Sequence, residues 1–164
     1  MAGMREVVRE LQELRLRHRG PKENSMHIAA VLRAAPMGKV NPALILSVGV
    51  NSQRQKQSLP FWGSLHAECD AVGKLARHEG RRPLRVDLVV VRTNRSGGTS
   101  NSQPCRDCLV RLRWLSAAKN VAIHRLWFTD QAGNLSFVNH GDVPLLPPHI
   151  SYAFRHENLR GRNR

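Results

Sequence analysis

Pro104-Cys105-Arg106-Asp107-Cys108 is the stretch that decides how this chain folds and what its site contains. The two cysteines are three residues apart, so on a helix they lie on one face within reach of a single ion. Pro104 suits the first position of that helix, because its fixed φ fits the first turn and its missing N–H costs nothing there. Both thiols would then lie at the positive end of the helix dipole, which favours the metal-binding thiolate.

A second short motif, His66-Ala67-Glu68, supplies the remaining chemistry. His66, Cys105 and Cys108 make only three ligands of the zinc type, whereas a structural zinc site is normally closed by four. The open tetrahedral position is left for water, which is typical of a catalytic site. His66 and Glu68 are two residues apart and would point to different faces inside a helix, so they must act from its first turn. Glu68 is therefore the candidate proton carrier.

The number of cysteines limits the alternatives. An isolated Cys-x-x-Cys is also compatible with a redox pair or half of a zinc ribbon, but the chain has three cysteines, which excludes a four-cysteine ribbon. Cys69 is expected to be a small buried residue and not a fourth ligand, since free cysteine is commonly found in cores. A chain that keeps the metal but has lost turnover stays open as an alternative.

The apolar pattern around these motifs predicts alternating helices and strands. The predicted elements are a helix at 4–19, a hairpin of strands at 25–35 and 43–50, a helix at 65–78, a strand at 84–92, a helix from the cysteine motif to about 120, and strands at 121–128 and 135–139. The run Leu88-Val89-Val90-Val91 is typical of a central strand covered on both faces. The last two strands are joined by residues 129–134, which requires an antiparallel pair because a parallel crossover needs a dozen or more residues.

The length of 164 residues is that of one domain with a proper core. We expect a single domain over 1–154, in which 1–24 is an N-terminal helical extension and about 25–139 is the core, followed by a basic tail at 155–164. No secretory signal or run of membrane-spanning length is seen, so no membrane partner is expected. Three cysteines fit an intracellular, reducing compartment, either cytoplasm or nucleus, or the inside of a virion or ribonucleoprotein particle.

The charge balance predicts a polyanionic partner. The chain has 26 Lys and Arg against 12 Asp and Glu, a formal net charge of +14, and most of its cations are arginine. Arginine is the side chain best suited to phosphates and to base stacking, which favours RNA or single-stranded DNA. An arginine-rich genome or a solvated surface is the alternative explanation.

Particular residues are candidates for contacting such a partner. Arg54, Lys56, Phe61 and Trp62 lie in a loop at 51–64, where rings beside cations suit the binding of a single strand. Phe61 and Trp62 are equally compatible with plugging one end of the core. Arg111 and Arg113, on the helix that begins at the cysteine motif, are further candidates for nucleic-acid binding.

The two motifs together resemble the signature of zinc nucleobase deaminases, the cytidine deaminase-like superfamily, over about 25–139. The resemblance implies a three-layer α/β/α fold with a five-stranded mixed sheet and Zn²⁺ between the N-termini of two helices. By position, His66, Cys105 and Cys108 hold the zinc. Glu68 moves a proton from the zinc-bound water to the ring nitrogen and later to departing ammonia. Attack falls on C4 of cytosine or C6 of adenine.

The resemblance also implies substrate contacts and an affiliation. The backbone N–H of Ala67 matches one that contacts the base. Gly49-Val50-Asn51 is similar to a Gly-x-Asn stretch whose Asn binds ribose, although Asn also simply caps strands and turns. Gln53 is neutral where nucleoside enzymes often carry a glutamate for the ribose 3′-hydroxyl, which makes a free nucleoside less favoured. An antiparallel last strand pair resembles nucleoside cytidine deaminases and several bacterial deaminase toxins, whereas tRNA adenosine deaminases and APOBEC-type enzymes insert a helix there.

Three functions follow from the sequence. The first is a zinc-dependent hydrolase that deaminates cytosine to uracil, in preference to adenine to hypoxanthine, in RNA or single-stranded DNA, as in RNA editing. The second is a deaminase of free cytidine, deoxycytidine or their nucleotides, whose basic surface serves another purpose. The third is a catalytically silent basic packing protein, against which the intact Glu68 speaks. Each is compatible with an oligomer.

Overall fold

A mixed sheet with helices on both faces forms the framework of the chain. The computed structural model describes residues 2–17, 26–34, 44–51, 65–94, 96–139 and 142. In chain order the elements are α1 (Ala2–Arg17), β1 (Met26–Arg33), β2 (Ile45–Val50), α2 (Ala67–Gly73), β3 (Leu84–Thr93), β4 (Thr99–Ser100), α3 (Arg106–Lys119), β5 (Val121–Thr129) and β6 (Leu135–Asn139).

The strands lie in the order β2-β1-β3-β5-β6, and the short β4 pairs with the end of β3. β3 and β5 are parallel and are connected through α3, whereas the other pairs are antiparallel. In the β1–β3 pair, Met26 is opposite Thr93 and Arg33 is opposite Val86. The predicted hairpin of the first two strands and the predicted antiparallel last pair are therefore confirmed.

The two faces of β3 bury different side chains, because successive residues of a strand point to opposite faces. Val89 and Val91 pack with one core that includes Met4, Val7 and Leu11 of α1. Leu88 and Val90 pack with a second core, to which α2 and α3 contribute. The apolar run of β3 is thus covered on both sides, and the predicted three-layer α/β/α class is confirmed.

Three details differ from the sequence prediction. Within the described residues the sheet has six strands and not five, because β4 forms inside the predicted loop at 93–103. α2 ends at Gly73 and not near residue 78, because the segment that follows is tied to the end of α3: the His78 N–H donates to Lys119 O, and Asn120 Nδ2 donates to His78 O. α3 begins at Arg106, so its N-cap is Cys105, and Pro104 lies one residue before the N-cap and not at the first helical position.

Parts of the predicted domain organisation lie outside the residues that the structure describes. The tail at 155–164, most of the 51–64 loop and the segment between α1 and β1 all lie outside them. Within the described parts of the chain, no helix combines the length and the apolar composition needed to span a membrane. The predicted domain boundaries therefore stay predictions.

Candidate metal centre

The N-termini of α2 and α3 bring the two motifs together. His66 is the N-cap residue of α2, and Cys105 is the N-cap residue of α3. Cys108 lies in the first turn of α3, so the thiols of Cys105 and Cys108 both face the start of α2. This is the first-turn placement that the spacing of His66 and Glu68 requires.

Three ligand atoms converge at this point. His66 Nδ1 is 3.0 Å from Cys108 Sγ and 3.7 Å from Cys105 Sγ, and the two sulfur atoms are 3.3 Å apart. Tetrahedral bonds of about 2.0 Å to nitrogen and 2.3 Å to sulfur place neighbouring ligand atoms roughly 3.5–3.8 Å apart. The observed separations approach these values, and His66, Cys105 and Cys108 form a cluster that could hold a metal ion.

The three ligand side chains of the cluster shift one another's pKa values. The hydrogen bond between the two thiols lowers the pKa of Cys105 to about 4 and raises the pKa of Cys108. The Cys105 thiolate in turn raises the pKa of His66, against the opposing effect of burial. Both sulfur atoms bind a metal ion as thiolates, so metal binding at this cluster would release protons.

Glu68 lies beside the cluster without being one of its ligand residues. Its side chain is nearly fully buried, with 3% of the residue exposed, and Oε1 is 4.0 Å from His66 Nδ1. Burial raises the pKa of Glu68, and the charge of His66 partly opposes that rise. A carboxyl group with a raised pKa exchanges protons more readily near neutral pH, which suits it to general acid–base work.

Asn51 and Ala67, both predicted to bind substrate, are joined to each other. The Ala67 N–H donates to Asn51 Oδ1 over 2.8 Å, and Asn51 Nδ2 lies 3.2 Å from His27 Nδ1. Within the described part of the chain, His66 makes no side-chain cap hydrogen bond to α2. Asn51 therefore supplies the capping bond at the start of the helix that carries His66, and the substrate-binding roles of both residues stay predictions.

The edge strand β2 holds α2 in place by direct contact. Gly49 lies so close to the helix that an added Cβ would be 2.2 Å from Ala67 O. Asp70 Oδ2 accepts the Val50 N–H over 3.1 Å, and Ser47 Oγ donates to Ala71 O over 2.8 Å. The sequence analysis did not identify Gly49 as a packing residue, although an isolated glycine in a strand can signal close backbone approach.

The segment that delivers Cys105 is fixed by a buried serine that the sequence analysis also missed. Ser102 Oγ donates to Val90 O over 2.6 Å and accepts the Thr129 N–H over 2.8 Å. The Ser102 N–H donates to Thr129 O over 2.8 Å. Ser102 thus ties the approach to α3 to the ends of β3 and β5. No sequence pattern distinguishes this serine from the polar residues around it.

The remaining predicted residues occupy different places. Cys69 is buried, as expected, with its Sγ 3.9 Å from Cys108 O, and it is not part of the ligand cluster. Arg111 is half-buried, and its charge lowers the pKa of His66, whereas Arg113 is exposed. Arg111 and Arg113, which were predicted together as nucleic-acid contacts, therefore differ in their exposure. The loop candidates Arg54, Lys56, Phe61 and Trp62 lie outside the described residues.

No family model matches the chain, and no curated protein is significantly similar to it. Among solved structures, the crystal structure of cytidine deaminase from Burkholderia pseudomallei is similar to this chain, with a TM-score of 0.45 and 20% sequence identity. The similarity covers 87% of this chain and 98% of that chain.

Fold and site together define the class of this protein. It is a mixed α/β protein in which two helix N-termini present a His/Cys/Cys cluster that could hold a metal ion. A buried carboxyl group, Glu68, lies next to that cluster.

Proposed function

We propose that this chain is a zinc-dependent hydrolase that deaminates cytosine to uracil in RNA or single-stranded DNA. The observation that carries the proposal is the convergence of His66, Cys105 and Cys108 beside the buried, non-ligating carboxyl group of Glu68. Three ligands with an adjacent glutamate are the donor set of the zinc nucleobase deaminases.

The donor atoms fit zinc better than a hard cation. One imidazole nitrogen and two sulfur atoms suit zinc, whereas magnesium and calcium prefer oxygen ligands. His66 Nδ1, Cys105 Sγ and Cys108 Sγ would hold the ion. When bound, zinc supplies a Lewis acid that makes water a nucleophile near neutral pH.

Glu68 carries the protons in this reaction. It accepts a proton from the attacking water and delivers it to the ring nitrogen N3. It later transfers a second proton to the departing ammonia. The balance is one cytosine and one water giving one uracil and one ammonia. The raised pKa of Glu68 supports this role, because a carboxyl group must hold the proton between the two transfers.

A polynucleotide substrate is supported by charge. The formal net charge of +14 and the exposed cations Arg106 and Arg113, on the helix that begins at the cluster, favour a polyanion. The neutral Gln53 makes a ribose grip of the nucleoside type less favoured. A reducing compartment, which keeps the two thiols available for a metal, fits the same function.

A deaminase of free cytidine is the second candidate. The observation that favours it is the antiparallel β5–β6 pair, which resembles that of nucleoside cytidine deaminases. The two candidates differ in substrate only, so one assay separates them: uracil formation from a cytosine-containing single-stranded oligonucleotide beside uridine formation from cytidine.

The test of the proposal uses the purified full chain, analysed for zinc and assayed for ammonia release. We expect one zinc per chain, and Glu68→Gln is expected to keep the zinc while lowering turnover by at least about a hundredfold. Glu79→Gln, a change of an exposed glutamate, is the matched control and should leave turnover unchanged. Undiminished turnover in Glu68→Gln, or zinc retained after Cys105 and Cys108 are both replaced by alanine, would refute the proposed site.

A further inference from the structure

The outer face of α3 exposes large apolar side chains that the core does not use. Trp114 is 69% exposed and Val110 is 62% exposed, and they are four residues apart on the helix, so they lie side by side. The opposite face of α3 is already buried, through Cys108, Leu112 and Ser116. The exposed indole contributes little to the core, so it is available to a partner.

The same face is positively charged. Arg106 and Arg113 are exposed beside Val110 and Trp114. Asp107, the acidic residue of this helix, lies three residues before Val110 on the same side and is half-buried, so the two arginines leave this face with a net positive charge. An exposed aromatic ring flanked by guanidinium groups is the surface with which proteins bind single strands, since the ring stacks a base while the cations bind the backbone.

The position of this face connects it to the metal centre. α3 begins directly after Cys105, so Arg106 is adjacent to the cluster. Trp114 is eight residues further along, which is about 12 Å along the helix axis. The outer face of α3 is therefore within reach of a strand that places one base at the metal centre.

We propose that the outer face of α3, formed by Arg106, Val110, Arg113 and Trp114, binds single-stranded nucleic acid as it leaves the metal centre. A base stacks on Trp114, and phosphates pair with Arg106 and Arg113. This deepens the proposed function, since it rests on a polynucleotide substrate. A second copy of this chain is a poorer occupant, because a self-paired face would bring arginines of the same sign together without the exposed acids needed to balance them.

Binding is tested separately from turnover with oligothymidylate of about ten nucleotides, which contains no cytosine. Titration of the full chain into fluorescein-labelled oligothymidylate, followed by fluorescence anisotropy, gives a dissociation constant by a readout that every variant retains. Trp114→Ala should weaken binding by roughly 5- to 150-fold, the range for one stacked base, at every salt concentration. Trp114→Phe should recover part of that loss, because phenylalanine also stacks.

The cations are tested by the dependence of binding on salt. Arg106→Gln with Arg113→Gln should reduce the slope of log affinity against log salt by about 1.4, since each single-strand phosphate contact contributes about 0.7. Arg81→Gln with Arg82→Gln is the matched control. It removes the same charge from exposed positions just before the start of β3, whereas α3 follows the end of that strand. This control should leave the slope nearly unchanged.

Several outcomes overturn the proposal. Unchanged affinity in Trp114→Ala, or an equal change of slope in the Arg81/Arg82 control, removes the assignment of α3. Trp114→Ala that turns a dimer into a monomer in sedimentation, with oligothymidylate affinity intact, assigns the face to a second copy of the chain. If the chain does not deaminate cytosine but binds oligothymidylate tightly through Trp114, the proposed enzyme is refuted and the proposed binding surface is supported. The two failures are therefore distinguishable.

Discussion

Replacing Asn51 with alanine tests whether this residue holds the site together or only contacts a substrate. The change removes the acceptor of the Ala67 N–H, a bond of 2.8 Å at the start of α2, and the contact of 3.2 Å with His27. Loss of a capping bond costs about 0.5–2 kcal/mol. Loss of the second hydrogen bond adds about 0.5–1.5 kcal/mol. We therefore expect the free energy of unfolding to fall by about 2 kcal/mol.

The assay is urea unfolding followed by circular dichroism, with thermal unfolding as a second measurement. A loss of about 2 kcal/mol corresponds to a fall in Tm of about 4–8 °C for a chain of this size. Asn51→Asp keeps an acceptor for the Ala67 N–H at the positive end of α2 but loses the donor toward His27. We expect it to recover at least half of the lost stability. Asn139→Ala, a change of an exposed asparagine at the end of β6, is the control.

The refuting result is specific. If Asn51→Ala unfolds at the same urea concentration as the unsubstituted chain while KM for the substrate rises, Asn51 binds substrate and does not stabilise α2. If stability falls and the zinc affinity falls with it, the capping role is supported, because His66 depends on the start of the same helix.

Other substitutions have equally direct expectations. Gly49→Ala would place a Cβ 2.2 Å from Ala67 O, so α2 must move; we expect a loss of about 1–3 kcal/mol in urea unfolding, and weaker zinc binding in a metal titration. Ser102→Ala deprives two strand ends of buried hydrogen bonds of 2.6 and 2.8 Å and should cost about 2–4 kcal/mol in thermal unfolding. Asp87→Ala should cost about 3–5 kcal/mol because it leaves Arg125 buried without its counter-ion, and unchanged stability would refute the importance of this pair.

The sequence predicts what depends on local spacing. The three-residue separation of Cys105 and Cys108 predicts a shared helix face, and the apolar run of β3 predicts a strand covered on both sides, because both depend on residues close together in the chain. The placement of His66 and Glu68 in a first turn follows from their spacing in the same way. These features agree with the structure.

What the sequence does not predict depends on contacts between distant segments. α2 stops at Gly73 because Asn120, far along the chain, binds the segment that would have continued the helix. β4 is two residues long and forms only by pairing with the end of β3. Asn51 caps a helix that begins sixteen residues later, and the intervening loop gives no signal of it.

The different exposure of Arg111 and Arg113 depends partly on local spacing and partly on how α3 packs. Once Cys108 is fixed toward the cluster, Arg111 follows it by three residues and turns toward the same side, whereas Arg113 falls on the outer side. The helical phase set by Cys108 therefore predicts that Arg111 and Arg113 lie on different sides of α3.

The arrangement of α3 gives the cluster and the proposed nucleic-acid partner different faces of one helix. Its buried face is set by the parallel β3–α3–β5 crossover, which fixes Cys105 and Cys108 over the sheet. That packing does not use the outer face, where Trp114 is exposed. α2, by contrast, has seven residues and is held by β2 through contacts at its first turns. The ligands from the two helices therefore meet only when the edge strand β2 and the inner β3–β5 pair are both in place, and metal affinity reports on the assembly of these strands.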